Sequence, residues 1–221
     1  METIKKEIRK ILDDGSAIFA GLVTFSRTKT MTLSGFIGIW VISFFADTGF
    51  RTLVQQHHNP LFDQLFSFFH WYGKGYLSLA VIAAFYIGAW LRTGTNWRSV
   101  GTGLFEAFAF SGIIVTILKS LFGRWRPYAE HGNFSFVFLT LGPNEHLSLP
   151  SGDVATAFAM SAILAGMIDN KFWKWMWYVI AAITALGRIY HDQHWLSDTI
   201  FAAGISVWIG TFLVKRANTH S

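Results

Sequence analysis

Residues 187–214 read GRIYHDQHWLSDTIFAAGISVWIGTFLV. The first part of this stretch carries Arg188, two histidines and two aspartates, whereas the second part, 199–214, contains no charged residue. Charged groups at membrane depth are rare unless they have a function. The stretch therefore indicates a membrane helix that begins directly after a polar, chemically active segment.

Apolar runs of the same kind recur along the chain. We predict six such segments: 32–46, 75–91, 100–118, 154–168, 175–187 and 199–214. A spanning helix needs about 20 residues, a length that the fourth and fifth reach only with flanking interfacial residues. Hydrophobic residues make up 52% of the chain and charged residues 14%, against about 25% charged in soluble domains. The sequence predicts an all-α integral membrane protein, a six-transmembrane helix bundle forming one domain over residues 1–221.

The remaining segments are predicted to lie at the membrane surfaces. Residues 1–29 form a cytoplasmic or interfacial N-terminal segment, in which Ile8, Ile11 and Leu12 recur at helical spacing among lysines and arginines. This pattern is typical of an amphipathic helix on an anionic membrane face, and equally of a soluble amphipathic helix. Residues 47–71 form an outer-face connector with an interfacial helix after Asn59-Pro60. The chain has no cysteine, which excludes disulfides.

The positive charges are distributed unevenly between the two faces. If six helices alternate, both termini share one face, and the opposite face holds only six of the 18 Lys and Arg residues: Arg51, Lys74, Lys119, Arg124, Arg126 and Arg188. The positive-inside rule then places both termini in the cytoplasm. Because the basic residues are scattered between apolar runs, the net charge of +5 does not indicate a nucleic-acid partner.

Three polar clusters fall on the predicted outer face. They are Lys119-Ser-Leu-Phe-Gly-Arg-Trp-Arg126-Pro127, then Leu149-Pro150-Ser151-Gly152-Asp153, and then the segment from Gly187 to Asp198. Guanidinium groups bind phosphate oxygens in forked pairs. A helix start presents free N–H groups to anions, and Ser151 suits its N-cap position. The clusters therefore predict an anion pocket for a phosphoryl group.

A nucleophile is predicted beside this pocket. His194 and Asp198 are four residues apart, which places them on one face of a helix. Asp198 is then expected to hold one imidazole nitrogen and leave the other free to attack phosphorus. The expected intermediate is a phosphohistidine on His194.

Two further charged residues carry expectations about their surroundings. Glu106, a lone acid in the third apolar segment, is expected to face the bundle interior and to pair with Arg98 or Lys215. Arg124 is expected either to face the headgroups or to add to the anion pocket, and the first alternative is slightly favoured.

The three clusters together resemble the motifs of the type 2 phosphatidic acid phosphatase (PAP2) superfamily. The matching patterns are Lys119-x6-Arg126-Pro127, Pro150-Ser151-Gly152 and Arg188-x5-His194-x3-Asp198. The resemblance implies a six-helix layout, phosphate binding by the three cations, nucleophilic attack by His194, orientation of His194 by Asp198, and no requirement for a metal or another cofactor.

Two positions depart from the family pattern, of which Gly187, where the family usually has serine before the third-motif arginine, is a minor change. The family normally has histidine after Ser-Gly, where it protonates the leaving group, and this chain has Asp153. Three alternatives stay open: Asp153 is a working acid, the acid is dispensable because a diphosphate leaves easily, or the change impairs catalysis. His191 is a candidate substitute acid or a neighbour that supports the site, although a histidine in an interfacial loop needs no such role. Pro127 is a candidate supporting neighbour only.

The resemblance implies an integral membrane enzyme, in a bacterial inner membrane, that removes phosphate from a lipid on the periplasmic or extracellular side. Undecaprenyl diphosphate and phosphatidylglycerophosphate are the first substrates to consider, followed by lipid A phosphates and phosphatidic acid. Because of Asp153, a non-hydrolysing lipid-phosphate binder and a lipid phosphotransferase stay open as alternatives. Membrane lipids are the expected partners, and the sequence leaves the oligomeric state open.

Overall fold

The computed structural model describes residues 2–24, 26–91 and 97–219, and over these residues the fold is helical. The α-helices are α1 (Glu2–Val23), α2 (Arg27–Gln55), α3 (Pro60–Gly73), α4 (Gly75–Leu91), α5 (Trp97–Phe122), α6 (Gly152–Gly166), α7 (Lys171–Tyr190) and α8 (Leu196–Thr219). The long loop between α5 and α6 contains two short 3-10 helices and one isolated β-bridge, which joins Arg124 to Phe136.

All six predicted apolar segments fall on helices, which confirms the all-α class. In the described part of the chain, α2, α5 and α8 are long and apolar enough to cross a membrane. The α3–α4 pair, bent by 54°, is a fourth candidate, while α6 is apolar but short. The chain is therefore an integral membrane protein, and the count of six spans stays a prediction. Much of the predicted connector 47–71 is helical, since α2 extends to Gln55 and α3 follows.

Helix α6 lies at the centre of the bundle, where it packs against α5, α7 and α8. Its buried face is made largely of alanine, a small side chain that lets helix backbones approach closely. A Cβ at Gly210 of α8 would lie 2.4 Å from the Cβ of Ala162, so glycine is required at this crossing. Small residues thus hold α6 and α8 together, and with them the two loops that these helices adjoin.

The loops at one end of the bundle, here called the loop end, gather the polar clusters. Helices α5 and α7 end there and helices α6 and α8 begin there, joined by residues 123–151 and 191–195. The backbone N–H of Ser151 donates to the carbonyl of Asp198 at 3.3 Å, and that of Tyr128 donates to Asp192, also at 3.3 Å. These bonds bring the two loops into contact.

Helix α1 packs at the opposite end of the bundle, against α5 and α8. Lys10 donates to both oxygens of Glu106 at 3.0 Å, and Arg216 donates to Asp14 at 2.5 Å. Glu106 does face the interior, but the partner expected from the sequence is wrong: α1 supplies the cation. The location of α1 at a membrane surface stays a prediction.

Candidate active site

His194 lies between α7 and α8 at the loop end and is 2% exposed. Its Nδ1 is 2.8 Å from the backbone carbonyl oxygen of Ser148. A carbonyl oxygen only accepts hydrogen bonds, so Nδ1 carries the proton and donates it. The lone pair of the neutral ring is therefore on Nε2, the nitrogen available for attack.

The surroundings of His194 favour this neutral form. Burial lowers the pKa of His194 to about 3, and the positive charges of Lys119, Arg126 and Arg188 act in the same direction, against the opposing effect of Asp198. The three cations predicted to bind phosphate thus lie close enough to His194 to influence its charge. At neutral pH the imidazole is an uncharged nucleophile in a cationic pocket.

Asp198 contacts His194 less directly than the sequence predicts. Its Oδ2 lies 3.8 Å from Nδ1 of His194, which is too long for a hydrogen bond. The same oxygen accepts from Ser148 Oγ at 2.5 Å and from the backbone N–H of Trp195 at 2.9 Å. At this distance Asp198 acts on the ring through its charge, and its hydrogen bonds hold Ser148 and Trp195 on the two sides of the nucleophile.

Arg124 is fully buried, so the expectation that it faces the headgroups is wrong. It donates to Asp47 of α2 and to Asp198 of α8, both at 2.6 Å. Burying a guanidinium is costly unless it is paired and hydrogen-bonded, and two carboxylates meet that need here. Arg124 joins the α5–α6 loop to two helices and leaves phosphate binding to its neighbours.

Arg126 is positioned by two loop residues that the sequence analysis did not identify. Its Nε and Nη2 donate to the backbone and side-chain oxygens of Asn144, at 2.9 and 2.8 Å. Its Nη1 donates to the side-chain oxygen of Gln193 at 2.9 Å. A guanidinium has five N–H groups, so these bonds fix its plane and still leave capacity for a phosphate oxygen.

The start of α6 faces the same pocket. Ser151 occupies the predicted N-cap position, but its side chain makes no capping bond. Its Oγ is buried and has no hydrogen-bond partner in the part of the chain that the structure describes. Lys119 lies over this helix start, with its Cε 3.9 Å from the position of a Cβ on Gly152, and its ammonium donates to the carbonyl of Leu147. The start of α6 thus places the unpaired Ser151 hydroxyl and the Lys119 side chain where a phosphate is expected to bind.

Arg188 completes the set of cations and has two close neighbours. Its Nε is 3.1 Å from Oδ2 of Asp153, and its Nη1 is 3.0 Å from Nδ1 of His70 on α3. His70 Nδ1 is also 3.7 Å from Asp153 Oδ2. Sequence reasoning missed His70, because no motif spacing connects it to the other site residues.

His191 and Pro127, the two residues predicted to support the site, occupy positions different from those of the cations. His191 caps the end of α7, where burial and then the charge of Arg188 lower its pKa. Pro127 is buried and begins a 3-10 helix directly after Arg126. Pro127 therefore shapes the loop that carries Arg126, and His191 lies at the edge of the pocket.

Comparison with known proteins agrees with this geometry. The model of the PAP2 superfamily matches residues 101–220, which include all three motifs. The chain belongs to the PAP2 superfamily. Helices α1 to α4, including α3 with His70, precede the matched region.

Several lipid A phosphatases are similar to about half of this chain. A lipid A 1-phosphatase of Rhizobium johnstonii is 32% identical over 49% of this chain and 44% of its own length. Lipid A 1- and 4'-phosphatases of Porphyromonas gingivalis are 29% and 24% identical, over 46% and 52% of this chain. The chain spans 20% of the first of these two and 50% of the second, thus at most half of these curated relatives.

Two solved structures share the fold. Aquifex aeolicus LpxE superposes with a TM-score of 0.62 at 24% identity, over 77% of this chain and 95% of LpxE. A transmembrane PAP2-type phosphatidylglycerolphosphate phosphatase from Bacillus subtilis gives a TM-score of 0.64 at 17% identity, over 100% of this chain and 98% of its own. The fold shared with the second structure therefore includes α1 to α4, which precede the region matched by the family model.

Proposed function

We propose that this PAP2 protein is a membrane lipid phosphatase that works through a phosphohistidine on His194. The observation that carries the proposal is the state of His194. It is a buried, neutral imidazole whose proton is held by the Ser148 carbonyl, and its reactive nitrogen is free beside three cations. This is the arrangement of an activated nucleophile next to an anion pocket.

The reaction follows from these positions. Nε2 of His194 attacks phosphorus, and the bond to the leaving oxygen breaks with its electron pair on that oxygen. Lys119, Arg126, Arg188 and the N-terminus of α6 stabilise the charge on the three equatorial oxygens. Water then attacks the phosphohistidine and releases inorganic phosphate. Most of the catalysis is positioning and electrostatic stabilisation, which rigid, buried cations supply.

The substrate that we propose is a phosphate or diphosphate on a lipid. The pocket lies at the ends of apolar helices, where a headgroup enters while its chains stay among the helices. Lipid A phosphates join undecaprenyl diphosphate and phosphatidylglycerophosphate as leading candidates, since the relatives named above include lipid A phosphatases. The site is proposed to face the periplasm or exterior of a bacterial inner membrane, with both termini in the cytoplasm.

A phosphate-release panel tests the activity. Purified protein in detergent micelles is incubated with lipid A 1-phosphate, phosphatidylglycerophosphate, phosphatidic acid and undecaprenyl diphosphate, beside a His194→Ala control. We expect release from at least one lipid, with the control lower by a factor of about 10³ or more, since the nucleophile is missing. Equal release by both proteins on every lipid contradicts the proposal.

One contact favours an alternative. Asp153 lies against Arg188 and competes with phosphate for it, as expected of a lipid-phosphate binder with impaired turnover. Such a protein binds labelled lipid but releases no phosphate. A lipid phosphotransferase is distinguished by adding a second lipid, because the label then moves to that lipid instead of appearing as inorganic phosphate.

A further inference from the structure

The proposed reaction needs a proton at the leaving oxygen, and His194 does not supply it. An alkoxide is a poor leaving group, so its departure is helped by an acid within hydrogen-bond reach. Nδ1–H of His194 is engaged with the Ser148 carbonyl, and its Nε2 forms the bond to phosphorus. Asp153 is the counter-ion of Arg188, and an ionised carboxylate has no proton to give.

His70 is the other titratable side chain in contact with Arg188. Arg188 Nη1 lies 3.0 Å from Nδ1 and 3.4 Å from Nε2 of His70, and a guanidinium only donates, so the nearer nitrogen accepts and the ring is neutral in this arrangement. The side chain of His70 is 18% exposed, so it is sheltered yet accessible from the pocket. A phosphate bound by Arg188 therefore lies next to this imidazole.

The fold holds His70 at this position through close packing of α3. A Cβ at Gly73 would lie 2.6 Å from the carbonyl oxygen of Asp153, so only glycine permits this approach of α3 to the start of α6. Thr184 of α7 donates its hydroxyl to the carbonyl of Phe69 at 2.9 Å. The residue before His70 and the glycine after it are thus fixed to the two helices that carry Arg188 and Asp153.

We propose that His70 is the acid of this active site and that Asp153 orients it, a role that rests on the proposed function. As the phosphorus–oxygen bond breaks, the electron pair stays on the leaving oxygen, which takes the proton from Nε2 of the His70 imidazolium. In the second half-reaction, the water oxygen bonds to phosphorus and the electrons of the nitrogen–phosphorus bond return to His194. Neutral His70 takes the proton that the water loses, which restores the imidazolium; when phosphate leaves, this proton returns to solvent and His70 is neutral again beside Arg188.

Substrate binding prepares His70 for this step. The phosphate oxygens accept hydrogen bonds from Arg188, so Arg188 no longer donates to His70 Nδ1. Nδ1 then takes up a proton from solvent and donates it to Asp153 Oδ2, which is 3.7 Å away before any movement. The phosphate on one side and the carboxylate on the other stabilise an imidazolium between them. His70 on α3 thus donates the proton and Asp153 on α6 orients it, so two helices together supply the acid.

The test compares leaving groups in the variant His70→Gln. Glutamine keeps an oxygen that accepts from Arg188, so the variant removes the acid and preserves the contact. With enzyme in excess, leaving-group release is measured for 4-nitrophenyl phosphate and for the lipid monophosphate that the wild type cleaves fastest in the panel. We expect the lipid reaction to slow by about 10²–10⁴-fold. Nitrophenol release falls less than about tenfold, because nitrophenolate departs without a proton.

Four further outcomes separate the possibilities. Adding Asp153→His to His70→Gln is expected to restore the lipid reaction, since a new imidazole then lies beside Arg188. The control His57→Gln, at an exposed position just after α2 whose ring contacts the carbonyl of Leu53, is expected to match the wild type. Equal loss of activity on both substrates, or no loss on either, contradicts the role of His70 but not the proposed function. Absence of release by the wild type relative to His194→Ala overturns the proposed function and this role with it.

Discussion

The nucleophile of this protein is oriented by a backbone carbonyl. Ser148 holds His194 through its carbonyl oxygen, while its hydroxyl donates to Asp198. Asp198 therefore acts on His194 through Ser148 and through the backbone of Trp195, in addition to its electrostatic effect at 3.8 Å. A carbonyl fixes the tautomer as firmly as a carboxylate does, because it can only accept. The imidazole is thereby kept neutral and correctly protonated without a direct ion pair.

Burial of a neutral histidine makes stability depend on pH. The pKa of His194 is about 3 in the fold against an ordinary value of 6.5. Between these two pH values the unfolded chain binds a proton at this residue and the folded chain does not. Stability is complete above about pH 6.5 and falls as the pH drops toward 3. Between pH 7.5 and 5 the loss is on the order of 2 kcal/mol, at about 1.4 kcal/mol for each pKa unit.

The matched variant is His194→Asn, whose amide also donates to the Ser148 carbonyl but does not titrate. Unfolding is followed in detergent micelles at pH 7.5 and 5. We expect the free energy of unfolding of the wild type to fall by about 2 kcal/mol more than that of the variant. Parallel losses in the two proteins contradict a depressed pKa at His194, since all other titrating groups are common to both.

The sequence could predict those site residues that lie close together along the chain. Lys119 and Arg126 lie in one motif, and His194 and Asp198 lie four apart, so their chemistry is visible in the linear order. His70 lies 118 positions before Arg188, and only the packing of α3 against α7 brings them together. Arg124 shows the same limit, because a spacing of two from Arg126 does not reveal that its side chain points inward.

Among the elements, the loop between α5 and α6 is fixed by a buried ion cluster around Arg124. Asp47 of α2 accepts from Arg124 at 2.6 Å, and it also accepts from the backbone N–H and hydroxyl of Ser197, at 2.8 and 2.7 Å. The cluster thus joins α2, the loop and the start of α8. Hydrophobic periodicity predicts where such helices lie, but it does not indicate which polar groups pair between them.

Asp47→Asn tests whether this cluster stabilises the bundle. The amide presents its NH2 group to donors that need an acceptor, which leaves buried polar groups unpaired. We expect a loss of about 3–5 kcal/mol in the free energy of unfolding, typical of breaking a buried ion pair. The control is Glu130→Gln, whose carboxylate is 72% exposed and pairs with Arg51 at 2.6 Å. Equal unfolding midpoints for the wild type and both variants contradict a stabilising role for the cluster.

The whole molecule separates two kinds of polar structure at its two ends. The loop end gathers Lys119, Arg126 and Arg188 around His194. The opposite end pairs Lys10 with Glu106 and Arg216 with Asp14, so its buried charges neutralise each other. The positive charges around His194 attract anionic headgroups, whereas the paired buried charges at the opposite end attach α1 to the bundle. The sidedness of the protein in the membrane therefore decides which leaflet presents its phosphate to the site.

That sidedness can be measured cleanly because the natural chain has no cysteine. Leu141, 93% exposed at the loop end, and Lys171, exposed at the start of α7 at the opposite end, are each replaced by cysteine. A maleimide that cannot cross membranes is applied to intact spheroplasts and then to permeabilised ones. The positive-inside rule predicts labelling of Leu141→Cys in both, and of Lys171→Cys only after permeabilisation. The reverse pattern would place the site in the cytoplasm, where a periplasmic lipid phosphate cannot reach it.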